Sequence, residues 1–434
     1  MPHKKKQLTD KEKLKAFFRS AAVGLPRIEP CCPHFGECGG CEFQDISYSD
    51  QLEIKGRVFG FIAAEVTADF RRKAAKEEHA ENIEAMRRRS ALVEERIAPL
   101  APGIVASPLP FGYRQRMDFV FAFGAAGLRR ANSHRKVVEL SACPLLGEAG
   151  FRVFRKAVGL AREAGFESYD YLRHNGELRY FVIRQSRSGG ILLSLVSKSA
   201  AAEEGIMTIL RRLVADGDIV SGQWLLAETV RDTSFGEPRG VAGEDCIIET
   251  MNSVGLAIGP NTFFQSNPAV AEKAYAAIAD FVPPGGVVFD MYSGVGSIAL
   301  SVAGMAEKVI AAENVPENVA LAKRNILGNS AANVELLEVD AARWLEEEVK
   351  FGGAGKPDMA ILNPPRPGVG DEGMAALERL APERIAYLSC NPFSLFRDLT
   401  VILEKYALTD ITLYDMFPQT RHFETLALLE RKPW

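Results

Sequence analysis

No uncharged apolar run in the 434-residue chain reaches the roughly 18 residues that a membrane span requires. The N-terminal stretch KKKQLTDKEKLKAFFRS also lacks the apolar middle of a secretory signal. These absences predict a cytoplasmic protein without a membrane partner. Internal repeats and long low-complexity segments are missing too. A hydrophobic content of 47% and a charged content of 25% exclude a disordered or fibrous chain. At roughly 100 to 200 residues per domain, the length predicts two or three domains.

The net charge of -4 conceals an asymmetry. Residues 1–30 carry Lys4, Lys5, Lys6, Lys11, Lys13, Lys15, Arg19 and Arg27 against Asp10, Glu12 and Glu29, leaving an acidic remainder. Such a basic arm reads either as a phosphate contact or as a solvated flexible tail.

Seven cysteines occur: Cys31, Cys32, Cys38, Cys41, Cys143, Cys246 and Cys390. An odd number without a secretory signal argues against a disulfide scaffold and for reduced thiols with chemical roles. Within CCPHFGECGGC, Cys32, Cys38 and Cys41 stand as C-x5-C-x2-C. Thiolates so spaced suit an iron–sulfur cluster or a zinc ion, each usually taking four protein ligands. A fourth is missing locally; Cys143 could be brought in by the fold, leaving Cys31 as a neighbour. Cys246 reads as a buried thiol packing as a small hydrophobe.

Residues from about 50 to 98 are rich in Ala, Glu, Lys and Arg at helical spacing and predict one or two long helices with charged faces. Their basic runs RRKAAK and MRRRS read as wet helix faces or as RNA contacts. From about 103 to 250, short apolar runs such as MDFVFAF, LRYFVIRQ and GGILLSLVS predict a mixed, mainly β central domain. From about 270, apolar strands alternate with amphipathic helices, which predicts an α/β domain whose parallel sheet is covered on both faces. The expected division is a basic arm over 1–30, a central region over 31–250 with a helical insertion near 50–98, and an α/β domain over 251–434.

In such sheets the ligand lies beyond the carboxyl ends of the strands. The strand VVFD ends at Asp290 and opens into Tyr292-Ser293-Gly294-Val295-Gly296-Ser297 before a helix. The next ends about 20 residues on at Glu313, where a carboxylate can hold ribose hydroxyls. The third ends at Asp340, placed to reach an adenine amino group. Together these look like the adenosylmethionine pocket of class I methyltransferases; a dinucleotide enzyme shares the first two features. The fourth strand ends in Asn363-Pro364-Pro365-Arg366, similar to the Asn-Pro-Pro-aromatic motif of enzymes that methylate exocyclic amines, with Arg366 in the aromatic place. The fifth ends in Ser389-Cys390-Asn391-Pro392, where a following helix N-terminus can favour thiolate.

CGGC with its outlying cysteines, FGYRQRMDF, FFQSN, DMYSGVGS, NPPRPG, SCNPFSLFRDL and DMFPQTRHFE occur in that order. Together they resemble the RNA 5-methyluridine (uracil-C5) methyltransferases that carry an iron–sulfur cluster, from about Cys31 to the C-terminus. The resemblance implies methyl transfer from S-adenosylmethionine to carbon 5 of a specific uridine in RNA, by a monomer, with 23S ribosomal RNA favoured over tRNA. It implies Gln265, Tyr292, Ser297, Glu313, Asp340 and Asn363 around the methyl donor. Cys390 is then the nucleophile, through an adduct at carbon 6, and Glu424 the base. Cys32, Cys38, Cys41 and Cys143 are implied as ligands of a 4Fe–4S cluster, and Phe263 as a neighbour of the target base.

The chain also departs from that pattern. The family usually has Asp where Asn363 stands, so donor affinity or turnover is expected to be lower unless a neighbour compensates. Ser293 stands where many members have Cys, a change expected to be harmless. Many relatives begin with a small RNA-binding β-barrel, TRAM, for which the residues before the cysteines are too few; RNA docking is then expected on the central domain and the basic arm. Two alternatives remain: a non-catalytic RNA-binding or folding factor, motivated by Asn363, and an exocyclic-amine methyltransferase using Asn363-Pro364-Pro365.

Overall fold

The computed structural model describes residues 8–133, 135–353 and 355–433. Lys4, Lys5 and Lys6 of the basic arm lie outside the described residues. An eight-stranded sheet runs in the order Gly103–Val105, Tyr406–Tyr414, Glu424–Arg431, Arg384–Ser389, Met359–Leu362, Val287–Met291, Lys308–Glu313 and Val334–Glu338. Its pairings are parallel except those made by Glu424–Arg431, which is antiparallel to both neighbours. The expected parallel, doubly covered sheet is present. Strand periodicity explains it: Phe289, Met291, Ile310 and Ala312 enter the core on one face, while Val288, Val309 and Ala311 enter that on the other.

The helices of the N-terminal region cover the first of these faces. Phe59, Ile62, Val66 and Phe70 lie along one side of the helix Tyr48–Ala74 and share a core with Tyr387, Phe396 and Leu399. The stretch near 50–98 therefore packs on the C-terminal sheet, and Gly103–Val105 adds an edge strand to it. Five cations of its charge runs pair with carboxylates of the protein itself. Arg71 binds Glu94, Arg72 and Lys73 bind Asp69, Arg88 binds Glu404, and Arg89 grips both oxygens of Asp371.

The central region is a seven-stranded mixed sheet, in the order Val137–Glu139, Ala125–Arg129, Arg116–Ala122, Leu178–Gln185, Ile191–Ser197, Ser221–Leu226 and Glu237–Gly243. One pairing is parallel, Ile191–Ser197 with Ser221–Leu226, joined across the helix Glu203–Ala215. LRYFVIRQ is the strand Leu178–Gln185, buried on both faces. The hairpin Ile247–Met251 and Val254–Ile258 bridges to the C-terminal domain, its Met251 and Leu256 packing with Val288 and Val309.

Candidate active site

Backbone register creates the central pair. Ser389 lies opposite Thr425 in antiparallel strands, so Cys390, one residue on, stands opposite Glu424, one residue back. A third group comes from the loop after Met359–Leu362. Asn391 Nδ2 and Ser394 Oγ donate to the Arg366 carbonyl at 2.9 and 3.2 Å, tying that loop to the one that carries the thiol. The Arg366 charge acts on both groups, opposing the effect of burial at Cys390 and at Glu424.

Burial decides the protonation states. It pushes the Cys390 thiol up to about 11, with Glu424 adding to the rise and Arg366 opposing it. The helix Pro392–Ile402 does begin just beyond the thiol, but the thiolate gain expected from its N-terminus is outweighed by desolvation. Burial pushes Glu424 up to about 8 against the opposing Arg366 charge. His422 is driven down to about 3 by burial and then by Arg421, Arg366, Lys55 and Arg114. It stays neutral at physiological pH, so of Cys390, His422 and Glu424 it is Glu424 whose charge changes nearest neutrality.

A stability signature follows from Glu424. Between its ordinary value of 4.5 and about 8, the unfolded chain has lost this proton and the folded chain holds it. Its stabilisation is complete below that window and is lost as pH rises through it. Glu424→Gln is expected to gain on the wild type by at most about 1.4 kcal/mol per pH unit across the window. Melting curves at several pH values would show the two proteins diverging toward alkaline pH; parallel curves would contradict the assignment.

Of the residues expected around a methyl donor, Tyr292, Glu313 and Asn363 stand at or just after strand ends. Gly296, at φ 82°, caps the short helix Ser297–Val302 in a left-handed conformation that favours glycine. Glu313 accepts from the amides of Gly294 (2.9 Å), Asn314 (2.8 Å) and Val315 (2.7 Å). A carboxylate has about four acceptor positions, and these amides occupy three of them. Asp340 is exposed, caps the helix Ala341–Phe351 through the Arg343 amide at 3.0 Å, and accepts from Asn314 Nδ2 at 3.2 Å. Gln265 is buried and Asn363 half-buried, and neither side chain has a hydrogen-bond partner among the described residues. Tyr292 is half-buried at φ 64°. Phe263 is 62% exposed, which rules out the core role that a phenylalanine more often has.

Asp290 was legible only as a strand end. Its side chain is fully buried, with Oδ2 accepting from the Ala299 amide at 2.9 Å and Oδ1 unpartnered. Burial, aided by Glu313, pushes it up to about 7 against that hydrogen bond. Arg366 and His422 were likewise not assigned roles from sequence. Each stood inside a quoted motif, and the signal for Arg366 was its place where an aromatic would serve another chemistry.

The four cysteines converge elsewhere. Gly39 lets their loop press on the strand Ala125–Arg129: its amide donates to the Arg129 carbonyl at 2.9 Å, and a Cβ would lie 3.1 Å from that oxygen. Cys38 and Cys41 each feel Cys32 and Cys143, and Cys143 feels Cys32. Among the described residues no group of three His, Cys, Asp or Glu is spaced to hold a metal ion, so the thiols are neighbours rather than a preformed single-ion shell. Cys31 is exposed and bonds Gln44 Oε1 at 3.6 Å, while Cys246 is buried, as expected of each.

Comparison with known proteins bears on this site. Residues 253–432 match the family model described as tRNA (Uracil-5-)-methyltransferase. An uncharacterized RNA methyltransferase of Caldanaerobacter subterraneus subsp. tengcongensis is 31% identical over 416 residues, covering 93% of this chain and 85% of that protein. The tRNA (uracil(54)-C(5))-methyltransferase of Pyrococcus horikoshii is 28% identical over 404 residues, covering 93% and 86%. Among solved structures, the Pyrococcus abyssi tRNA (uracil-54, C5)-methyltransferase in complex with S-adenosyl-L-homocysteine superposes with a TM-score of 0.70. It is 24% identical and spans 90% of this chain and 85% of that one, a likeness of fold.

Proposed function

Because the chain belongs to the S-adenosylmethionine-dependent RNA uracil-5-methyltransferase family, we propose that it methylates carbon 5 of a specific uridine in RNA through a covalent Cys390 adduct. The supporting observation is the opposition of Cys390 and Glu424 across antiparallel strands, with the Arg366 charge acting on both. Carbon 5 of uracil is a weak nucleophile; the Cys390 thiol gives up its proton to solvent, and addition of the resulting thiolate to carbon 6 moves the double-bond electrons onto carbon 5 as an enolate. Carbon 5 then takes the methyl group, and the sulfonium carbon–sulfur bond breaks to leave S-adenosylhomocysteine. Glu424 removes the proton from carbon 5, and the carbon 6–sulfur bond breaks to free the thiolate. Gln265, Tyr292, Ser297, Glu313, Asp340 and Asn363 surround the donor in this reading, and Phe263 meets the flipped base.

Arg366 supplies the charge that opposes burial at the thiol. Arg366→Ala is expected to lower methyl transfer by about 10²–10³-fold, the usual range for one preorganised donor, and to shift alkylation of Cys390 by iodoacetamide to higher pH. Alkylation and transfer that match wild type would remove Arg366 from the mechanism.

We also assign Cys32, Cys38, Cys41 and Cys143 to a 4Fe–4S cluster. The fit rests on their convergence and on the Gly40 amide, 3.4 Å from Cys38 Sγ, since amide donors to sulfur tune such centres. Methyl transfer from a sulfonium is redox-neutral, so the cluster would supply a cross-link between loop and sheet. Cys38→Ser is expected to lower melting temperature and RNA affinity before it lowers transfer to saturating RNA. Normal stability with normal RNA binding would sink this role.

The deciding experiment is nucleoside mass spectrometry on ribosomal and transfer RNA from cells lacking the gene and from their parent. Family breadth favours 23S ribosomal RNA, whereas the two relatives whose names state a target act on tRNA uracil 54. Loss of 5-methyluridine from one fraction would identify the substrate. No loss from either would favour the non-catalytic reading that the unpartnered Asn363 motivates; rescue of activity by Asn363→Asp would then support it.

A further inference from the structure

The basic arm is not a loose tail where the structure describes it. Thr9 and Glu12 form a capping box that starts the helix Asp10–Ala21. Phe17 stacks on Phe61 at 4.7 Å between ring centres, and Phe18, fully buried, packs against Phe43. Lys13 pairs with Glu65 at 2.9 Å and Asp10 with Arg397 at 2.8 Å. These contacts fix how the helix is turned. Lys11, Lys15 and Arg19, spaced four residues apart, share the remaining face, and all three line a cleft of about 900 Å³ between this helix, the cysteine loop and the central sheet.

The charge of that cleft runs against that of the whole chain. Six cations line it against three carboxylates, in a protein of net charge -4. Each of the three carboxylates already has an arginine: Asp118 pairs with Arg116, Asp232 with Arg129, and Glu42 with Arg421. Lys11 and Arg19 are exposed and have no acidic partner among the described residues. Lys15 meets only the neutral amide of Asn132, at 2.6 Å. Of the aromatic side chains that line the same cleft, Phe18, Phe43 and Tyr180 are buried, while Phe35 is half-buried and Phe235 is 49% exposed; Arg116 lies over Phe235 at 4.7 Å. Arg421, three residues before Glu424, also lines the cleft. Excess positive charge with aromatic faces is the combination that tracks a single-stranded backbone and stacks its bases.

We propose that the cleft between the helix Asp10–Ala21 and the central sheet is the track for the single-stranded RNA that flanks the target uridine, with Lys11, Lys15 and Arg19 contacting its phosphates. The RNA methyltransferase reading supplies the ligand class here; the cleft itself supplies the location.

The test measures binding of the full-length protein to a fluorescein-labelled single-stranded RNA of about 20 nucleotides, one uridine among adenosines, across a salt series. Each lost phosphate contact on a single strand removes about 0.7 from the log–log salt slope. The triple variant Lys11→Gln, Lys15→Gln, Arg19→Gln is therefore expected to flatten the slope by about 2 and to weaken binding about a hundredfold at roughly 0.1 M salt. A control with the same charge change elsewhere on the α/β domain, Lys308→Gln, Lys323→Gln, Lys350→Gln, is expected to change neither. If the first triple fails to fold, the exposed pair Lys11→Gln, Arg19→Gln is expected to flatten the slope by about 1.4. An unchanged slope in the folded variant, an equal loss in the control, or no binding by the wild type would overturn the proposal. Wild-type binding that depends on the three cations without any 5-methyluridine would leave the cleft standing and defeat the methyltransferase reading. Methylation by the triple variant with wild-type affinity would do the reverse.

Discussion

Cys390→Ala is expected to leave no measurable 5-methyluridine, a loss on the order of 10⁵-fold or more, the scale on which removing a covalent nucleophile acts. Without the thiolate, no electron density reaches carbon 5 and the methyl donor meets a poor nucleophile. Glu424→Gln is expected to fail later. The adduct forms and carbon 5 is methylated, but its proton stays, so turnover drops about 10²–10⁴-fold and the RNA remains bound to the protein through Cys390. Denaturing electrophoresis would show that complex for Glu424→Gln and its absence for Cys390→Ala and for the double variant. Wild-type transfer by Cys390→Ala, with the methyl on nitrogen, would instead support exocyclic-amine chemistry.

Asp415→Ala is expected to destabilise the fold by about 3–5 kcal/mol, because it leaves a buried ammonium without its counter-charge. Lys55 Nζ lies 2.5 Å from Asp415 Oδ1, and neither side chain has any exposure. Nζ also donates to the Phe417 carbonyl at 3.1 Å, and the Tyr48 hydroxyl donates to Asp415 Oδ2 at 2.9 Å. Burial holds Lys55 below the usual lysine range, and Asp415 opposes that fall. Replacing both members, Lys55→Met with Asp415→Leu, is expected to cost much less, since no uncompensated charge is left. Urea unfolding would compare the two; a single variant within about 1 kcal/mol of wild type would show that the pair is dispensable.

This network also explains how a distant helix shapes the site. Gln51 donates to Gln419 Oε1 and accepts from the Gln419 amide, both at 3.0 Å. The amides of Glu42 and Phe43 donate to the Gln419 carbonyl, and the Glu42 carboxylate binds Arg421. The segment Asp415–Phe423 that delivers Glu424 is thus braced by the helix Tyr48–Ala74 and by the end of the cysteine loop. Loosening of that segment is expected to accompany the stability loss in Asp415→Ala.

What the sequence by itself determined is what short-range physics encodes. A short apolar run between turn residues made LRYFVIRQ a strand, and alternation of strand and helix made the C-terminal half α/β. Motif order pointed to the RNA uracil-5-methyltransferase family, and the strand ends picked out where Glu313 and Cys390 stand. Tertiary structure alone decided the rest. Cys390 and Glu424 lie far apart in the chain, and only antiparallel pairing of their strands sets one opposite the other. The basic runs near 71–76 and 86–90 carry the same charges whether they meet RNA or carboxylates; it is packing that gives Arg88 and Arg89 to Glu404 and Asp371. Likewise the thiol's protonation follows from how deeply the fold buries it, because desolvation depends on every neighbour brought near in space and a sequence displays only neighbours along the chain.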